Sequence, residues 1–296
     1  MSDRVTPATY VINNSLIVDK VISHLDQLDF VQLCLVRKQT WQLAITHLWM
    51  RPLLHSVEQF GLFARSATTA LPFELRSYQH YGDLLHDLDL SMVVRRWDKL
   101  SYESLAPVFK HCVRLERLDL SLCQHLLGAQ FENLFADNPR ICASLTFLDI
   151  SETTFCSHNL IAVLTKLPGI TALILGETST DDSVLEAISK HMPCLEWLEI
   201  DSCESVSDLG IKAIFEGCPK LAYLSTRECW GVLDTDVIAQ INARGGWEDI
   251  EVLQDYDEGE QIGADDYESD TFYEYNYDNE DPDFYATIAR QLQRNL

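Results

Sequence analysis

Seven of the nine cysteines (Cys112, Cys123, Cys142, Cys194, Cys203, Cys218 and Cys229) and a recurring set of carboxylates (Asp119, Asp149, Glu199 and Asp201) are the groups whose spacing invites a chemical reading. A thiol nucleophile needs a base beside it. A structural zinc site needs ligands at short fixed spacings. The chain contains no Cys-x-x-Cys pair, and none of its histidines stands at a zinc-ligand spacing from the cysteines. The carboxylates could serve as general acid and base, but they occupy repeated positions with no His, Lys or Gly-rich phosphate loop near them. Gly-x-Ser-x-Gly, Walker and His-Glu-x-x-His patterns are absent. The expectation is a chain without catalysis, metal or cofactor, in which the thiols pack as small hydrophobes.

The bulk properties narrow the partners. A formal net charge of −24 makes a nucleic-acid backbone or an anionic membrane a poor partner. The 296 residues leave room for one large or two modest domains with a full apolar core. The N-terminal MSDRVTPATYVINN lacks the apolar run of a secretory signal, and the odd cysteine count argues for reduced thiols. The longest apolar stretch, 160–175, is broken by Lys166, Pro168 and Gly169, so no membrane span is expected. These features together predict a cytoplasmic and/or nuclear protein.

The cysteines and carboxylates are positioned by a repeat. Leu115, Leu118, Leu120 and Cys123 recur as Leu195, Leu198, Ile200 and Cys203, then as Leu221, Leu224, Thr226 and Cys229. Strands are expected to start at Leu85, Leu115, Leu145, Ile170, Leu195, Leu221 and Ile250, at spacings of 30, 30, 25, 25, 26 and 29 residues. Helical stretches lie between them, several opened by capping pairs: Thr180-Asp181, Ser207-Asp208 and Thr235-Asp236. Strand, turn and helix repeated at this period are the plan of a leucine-rich-repeat solenoid, here of about seven repeats in an α/β fold.

Upstream, residues 11–54 read as a short all-α module. Val18, Val21, Ile22 and Leu25 keep helical spacing, Phe30 and Leu33 begin a second face, and Trp41, Ala44, Ile45 and Leu48 a third. Leu25, Phe30, Leu35, Val36, Trp41 and Trp49 exceed what so small a unit can bury, which suggests apolar surface lent to a partner. The run LIVDKVISHLDQLDFVQLCLVRKQTWQLAITHLW resembles an F-box, through His-Leu-Asp, Phe30-x-x-Leu33, Leu35-Val36, the basic pair Arg37-Lys38 and the tryptophans. The alternative is a helical cap that shields the first repeat. The cysteines before and after each expected strand resemble the cysteine-containing repeats of F-box/leucine-rich-repeat proteins, fungal ones in particular. The resemblance implies an SCF-type ubiquitin ligase receptor. It would contact a Skp-type adaptor, and through it a cullin–RING ligase, by Leu25, Phe30, Leu33, Leu35, Val36, Trp41 and Trp49.

Within each expected strand the residues between the leucines point away from the core. These include Arg117, Asp119, Phe147, Asp149, Trp197, Glu199, Asp201 and Tyr223, an aromatic and carboxylate wall suited to a protein substrate of basic character. A solvated acidic face with loop-covered aromatics is the plainer reading. Residues 55–80, with Pro72, look like a linker with some helix, and the repeats occupy 81–254. From Asp255 to Asp283 there are 13 acidic residues and no Lys or Arg, the composition of a disordered tail. Residues 284–296 then suggest a short helix. The degenerate F-box opening, Asn13-Asn14 in place of Leu-Pro, and this acidic tail motivate a second reading. That reading is a ligase-independent repeat scaffold or inhibitor that occupies a basic partner.

Overall fold

The computed structural model describes residue 25, residues 29–30 and 32–33, and residues 38–75 and 78–243. The seventh expected strand at Ile250, the acidic tail and the short terminal helix lie outside the described residues, as do Leu35 and Val36. The chain is α/β, with eight strands among the described residues and, between Lys38 and Ala243, ten α-helices and one short 3-10 helix, Tyr81–Leu84. Helices α1 (Lys38–Met50) and α2 (Val57–Ala67) come first, followed by an antiparallel hairpin, β1 (Ala70–Leu75) and β2 (Tyr78–His80). Six short strands follow: β3 (Asp87–Asp89), β4 (Arg117–Asp119), β5 (Phe147–Asp149), β6 (Ala172–Ile174), β7 (Trp197–Glu199) and β8 (Tyr223–Ser225). They form one parallel sheet whose order is the order of the sequence. The helices between them are α3 (Arg96–Lys99), α4 (Tyr102–His111), α5 (Gly128–Ala136), α6 (Pro139–Ser144), α7 (Ser157–Leu164), α8 (Asp182–His191) and α9 (Asp208–Gly217), with α10 (Thr235–Ala243) after β8.

Six of the seven expected strands therefore form, each beginning two residues after the leucine, or Ile170 for β6, that announced it. That first leucine closes the preceding turn instead. The amides of Leu85, Leu115, Leu195 and Leu221 donate to the carbonyls of Gly82, Cys112, Met192 and Cys218. The central leucines, Leu88, Leu118, Leu148, Leu173, Leu198 and Leu224, are in register and fully buried. Each contributes about 1.5–3 kcal/mol by leaving water, and the stack runs unbroken through the main core.

The turns after the strands tie neighbouring units together. Leu122, Glu152, Glu177, Ser202 and Glu228 adopt left-handed backbone, with φ from 54 to 58°. The conformation aims backbone amides at the next unit: Leu122, Glu152, Glu177 and Ser202 donate to the carbonyls of Ser151, Gly176, Asp201 and Arg227 at 2.7–2.9 Å. A non-glycine residue is strained there. Replacing exposed Glu177 by glycine is expected to raise stability by about 0.5–1 kcal/mol, the strain relieved less glycine's greater freedom when unfolded. Urea unfolding checks this; a fall in midpoint would refute the strain argument.

Cysteines sit in the same joints. Cys203 and Cys229 are buried and donate their thiols to the carbonyls of Leu175 and Ile200 in the preceding unit, at 3.3 and 3.0 Å. Where threonine takes this place, Thr153 and Thr178 bond back to Ile150 and Leu175 at 2.7 Å, so the polar atom is satisfied either way. Burial pushes the Cys123 and Cys229 thiols up to about 12, and Cys218 to about 11. These are un-ionised structural groups and poor nucleophiles.

Two of the expected caps hold and one moves. Asp181 caps α8 by accepting from the amides of Ser183 and Val184, and Ser207 caps α9 by accepting from Leu209. For α10 the carboxylate of Asp234, rather than Thr235, accepts from Asp236 N. Asp182 and Asp208 instead reach across, the first to Ser207 and the second to the amides of Leu233 and Asp234.

Residues 55–80, expected as a linker with some helix, form α2 and the β1–β2 hairpin. The reason is a helical stripe, Phe60, Phe63, Ala64 and Ala67, that is buried. Phe60, Phe63 and Ala64 join the main core with Leu54. Ser56 caps α2 by accepting from Gln59 N and forms an isolated parallel bridge with Val94. This segment extends the repeat core toward the N-terminus.

Candidate functional site

Opposite the buried leucines, the sheet carries three rows of side chains aligned across the strands. The first row runs Asp87, Arg117, Phe147, Ala172, Trp197, Tyr223. The second runs Asp89, Asp119, Asp149, Ile174, Glu199, Ser225. Two residues further on, a third comprises Ser91, Ser121, Ser151, Gly176, Asp201 and Arg227. The period of two that buries every central leucine turns its neighbours outward.

The structure brings all eight expected target-facing residues onto this one face. In the first row Asp87 is held between Arg51 at 3.7 Å and Arg117 at 3.4 Å. The Arg117 guanidinium lies 3.8 Å from the centre of the Phe147 ring. At the other end Trp197 stacks on Tyr223, with centroids 3.5 Å apart and planes within 12°, and remains 41% exposed. An aromatic stack left this open is apolar surface at a place where water is otherwise bound by charge.

The second row is electrostatically strained. Asp89, Asp119 and Asp149 accept from the amides of Ser91, Ser121 and Ser151 at 2.8–2.9 Å, so each Asp-x-Ser is also a turn. Burial, then the charge of Asp149, pushes the Asp119 carboxyl up to about 6, against the opposing bonds from Ser121. Burial raises Asp149 as well, and burial with the charges of Asp201 and Asp149 raises Glu199. Asp201 differs from the others: it accepts from Ser225 Oγ at 2.5 Å and Arg227 N at 2.8 Å, and so links β7 to β8.

Because Asp119 holds its proton more tightly when folded than unfolded, ionising it opposes folding. The penalty is absent below about pH 4, where both states are protonated, and complete above about pH 6. Asp119→Asn keeps the acceptor for Ser121 N and is expected to gain about 1–2 kcal/mol at pH 7.5 over its effect at pH 4. Urea titrations at the two pH values decide it; equal differences at both would sink the assignment.

The expected adaptor-facing residues are placed unevenly. Phe30 is buried against Ala44 and Leu48 and stacks on His47 at 5.4 Å, with Leu25 and Leu33 partly buried beside it. Trp49 stacks on Phe63 at 5.0 Å and packs against Tyr81 at 4.8 Å, which joins α1 to the first unit of the sheet. Trp41 belongs to α1 by backbone, but its side chain, like Leu35 and Val36, lies outside what is described. Phe30 and Trp49 are therefore engaged in packing within the chain.

Sequence reasoning missed Arg51 and Arg96. The first approaches Asp87 from the end of α1, and the second donates to Ser121 O at 2.8 Å from α3. Both lie off the strands, where the period of two says nothing of them. Among the described residues no group of three or more His, Cys, Asp or Glu could hold a metal ion, and no helix is long and apolar enough to cross a membrane.

No family model matches the chain. It is similar to the F-box protein SKIP1 of Arabidopsis thaliana, 27% identical over 152 residues, which cover 51% of this chain and 47% of that protein. It is also similar to F-box/LRR-repeat protein 4 of Bos taurus, 24% identical over 213 residues, covering 66% of this chain and 34% of that protein. The chain thus matches less than half the length of either curated relative. Both relatives are F-box proteins and one is an F-box/LRR-repeat protein, which supports an F-box/leucine-rich-repeat assignment at the level of distant similarity. Neither organism is a fungus, so a fungal-type subclass gains no support.

Proposed function

We propose that this protein is a substrate-recognition subunit of an SCF-type ubiquitin ligase, built as an F-box-like helical module followed by a leucine-rich-repeat solenoid of about seven repeats. The module engages a Skp-type adaptor, and through it a cullin–RING ligase. The open sheet face engages a target protein, and the chain acts by proximity rather than by chemistry. The observation that carries the reading is the in-register parallel sheet, with leucines buried on one face and aromatic and acidic rows, partly exposed, on the other. Its similarity to two F-box proteins supports the same reading. The chain would work in the cytoplasm, the nucleus or both.

Co-purification with a Skp-type adaptor tests the proposal. Leu35, Val36 and Trp41 made polar together should abolish adaptor recovery while the fold, read by circular dichroism, is kept. Undiminished recovery would remove this interface. The packing of Phe30 and Trp49 inside the chain favours a second reading, a ligase-independent scaffold or inhibitor. Recovery of a basic protein partner from cells without any adaptor would select it.

A further inference from the structure

The first row of the open face has a gap in the middle. Phe147 on β5 and Trp197 on β7 are separated by one strand, β6, whose residue in that row is Ala172. Two inter-strand spacings put the two ring-bearing positions about 10 Å apart, with only a methyl group between them. Each ring is covered on its outer side, Phe147 by the Arg117 guanidinium and Trp197 by Tyr223. Their remaining faces are turned toward β6. Directly along the strands from Ala172, Ile174 stands between the carboxylates of Asp149 and Glu199 in the second row. At the following turn Glu152 and Glu177 stand side by side.

We infer that this bay over β6 receives one lysine or arginine side chain of a basic target segment, its cationic head held between the Phe147 and Trp197 rings and beside Asp149 and Glu199. The inference rests on the reading of the open face as a target-binding surface and names the chemistry it takes. A cation centred over Ala172 lies about 5 Å from each ring, inside the roughly 6 Å reach of a cation–π contact. The chain already makes such a contact on the other face of Phe147, through Arg117. An acidic or neutral side chain has no such complement here. Burial, and after it the charges of Asp201 and Asp149, already burden the Glu199 carboxylate, as burial and the charge of Glu177 burden Glu152, so an incoming cation offsets the like-charge part at both. Bulk on β6 would close the bay, and Ala172 supplies none.

The probe is a capped decapeptide of alternating arginine and glycine, titrated into the full chain by calorimetry, with an alternating glutamate–glycine peptide as its counterpart. The arginine peptide is expected to bind and the glutamate peptide to stay silent. Ala172→Phe, which fills the bay and leaves every charge in place, should weaken binding roughly 3- to 30-fold, as should Trp197→Leu, with Glu199→Gln weakening it further at low salt. Ala172 is partly exposed, so the variant should keep its urea midpoint; Trp197→Leu serves as the second test if it does not. Wild-type affinity in both variants would reduce the face to unselective charge attraction and overturn the bay. Absence of any arginine-peptide binding would overturn it too. The ligase reading fails separately: a chain that binds the peptide but recovers no adaptor refutes that reading alone, and one that recovers adaptor but ignores the peptide refutes the bay alone.

Discussion

Phe131→Ala is expected to lower the unfolding free energy by about 3–5 kcal/mol, the largest effect of any single side chain considered. Phe131 is fully buried in α5 and stacks on Phe155 with centroids 4.0 Å apart and planes within 12°. It also meets Phe135 edge-on at 5.2 Å, and Phe135 meets Phe109 of α4 at 5.9 Å. This aromatic ladder crosses from α4 through α5 to the turn before α7, so its loss leaves a cavity shared by three consecutive units. Flanking helices cannot collapse into it without breaking the register of the leucines below. Phe131→Leu, which refills much of the volume, should cost about 1–1.5 kcal/mol. Urea unfolding of the two variants measures the difference, and a loss below about 1 kcal/mol for alanine would mean the ladder is dispensable.

Trp49→Ala is expected to be nearly as damaging, about 2–3 kcal/mol, but in one place. Trp49 is partly exposed, yet it packs against all three hydrophobic clusters: the Phe30–Ala44–Leu48 group, the Ile45–Tyr81–Leu84 group and the main core. Removing it takes away the ring contacts from α1 to Phe63 and Tyr81 and leaves Ile45 to hold α1 against Tyr81 and Leu84. Amide exchange in α1 should then accelerate well beyond that of β5, β6 and β7, whose neighbours are untouched. Trp49→Phe should restore most of the protection. Uniform acceleration along the whole chain would show instead that α1 and the sheet unfold as one unit. If the proposed adaptor interface lies on the helical module, Trp49→Ala should also weaken adaptor recovery without touching it directly.

The sheet was legible because its signal is redundant. A leucine pattern repeated at 25–30 residues leaves one economical solution, stacked parallel strands with the leucines buried, and β3 to β8 follow it. The left-handed residues were not legible: Leu122, Glu152, Glu177, Ser202 and Glu228 share a position in the repeat but carry no glycine to mark it. Only the amide that Leu122, Glu152, Glu177 and Ser202 each aim at the next unit explains why the backbone turns at those four. In residues 55–80 the helix was legible but its attachment was not, for a related reason. Phe60, Phe63, Ala64 and Ala67 form a clear helical stripe, but nothing in its own period says that the stripe continues the core of the repeats.

The open face divides in the same way. Alternation alone put Arg117, Asp119, Phe147, Asp149, Trp197, Glu199, Asp201 and Tyr223 on one side, because a strand has only two faces. Which of them pair was decided in three dimensions. Register, not sequence distance, sets Arg117 over Phe147, Trp197 on Tyr223 and Ala172 between the two rings. The same holds for the helical module, where the apolar excess was visible in the residue list but its use was not. Phe30 turned inward onto Ala44 and Leu48 of α1, and Trp49 of α1 turned inward onto Phe63 and Tyr81. The sequence by itself determined the repeat, its buried ridge and the acidic, aromatic character of the other face, since these depend on local period and composition. Tertiary structure alone decided which side chains meet, because contacts between residues 25 or more apart depend on the register of whole strands.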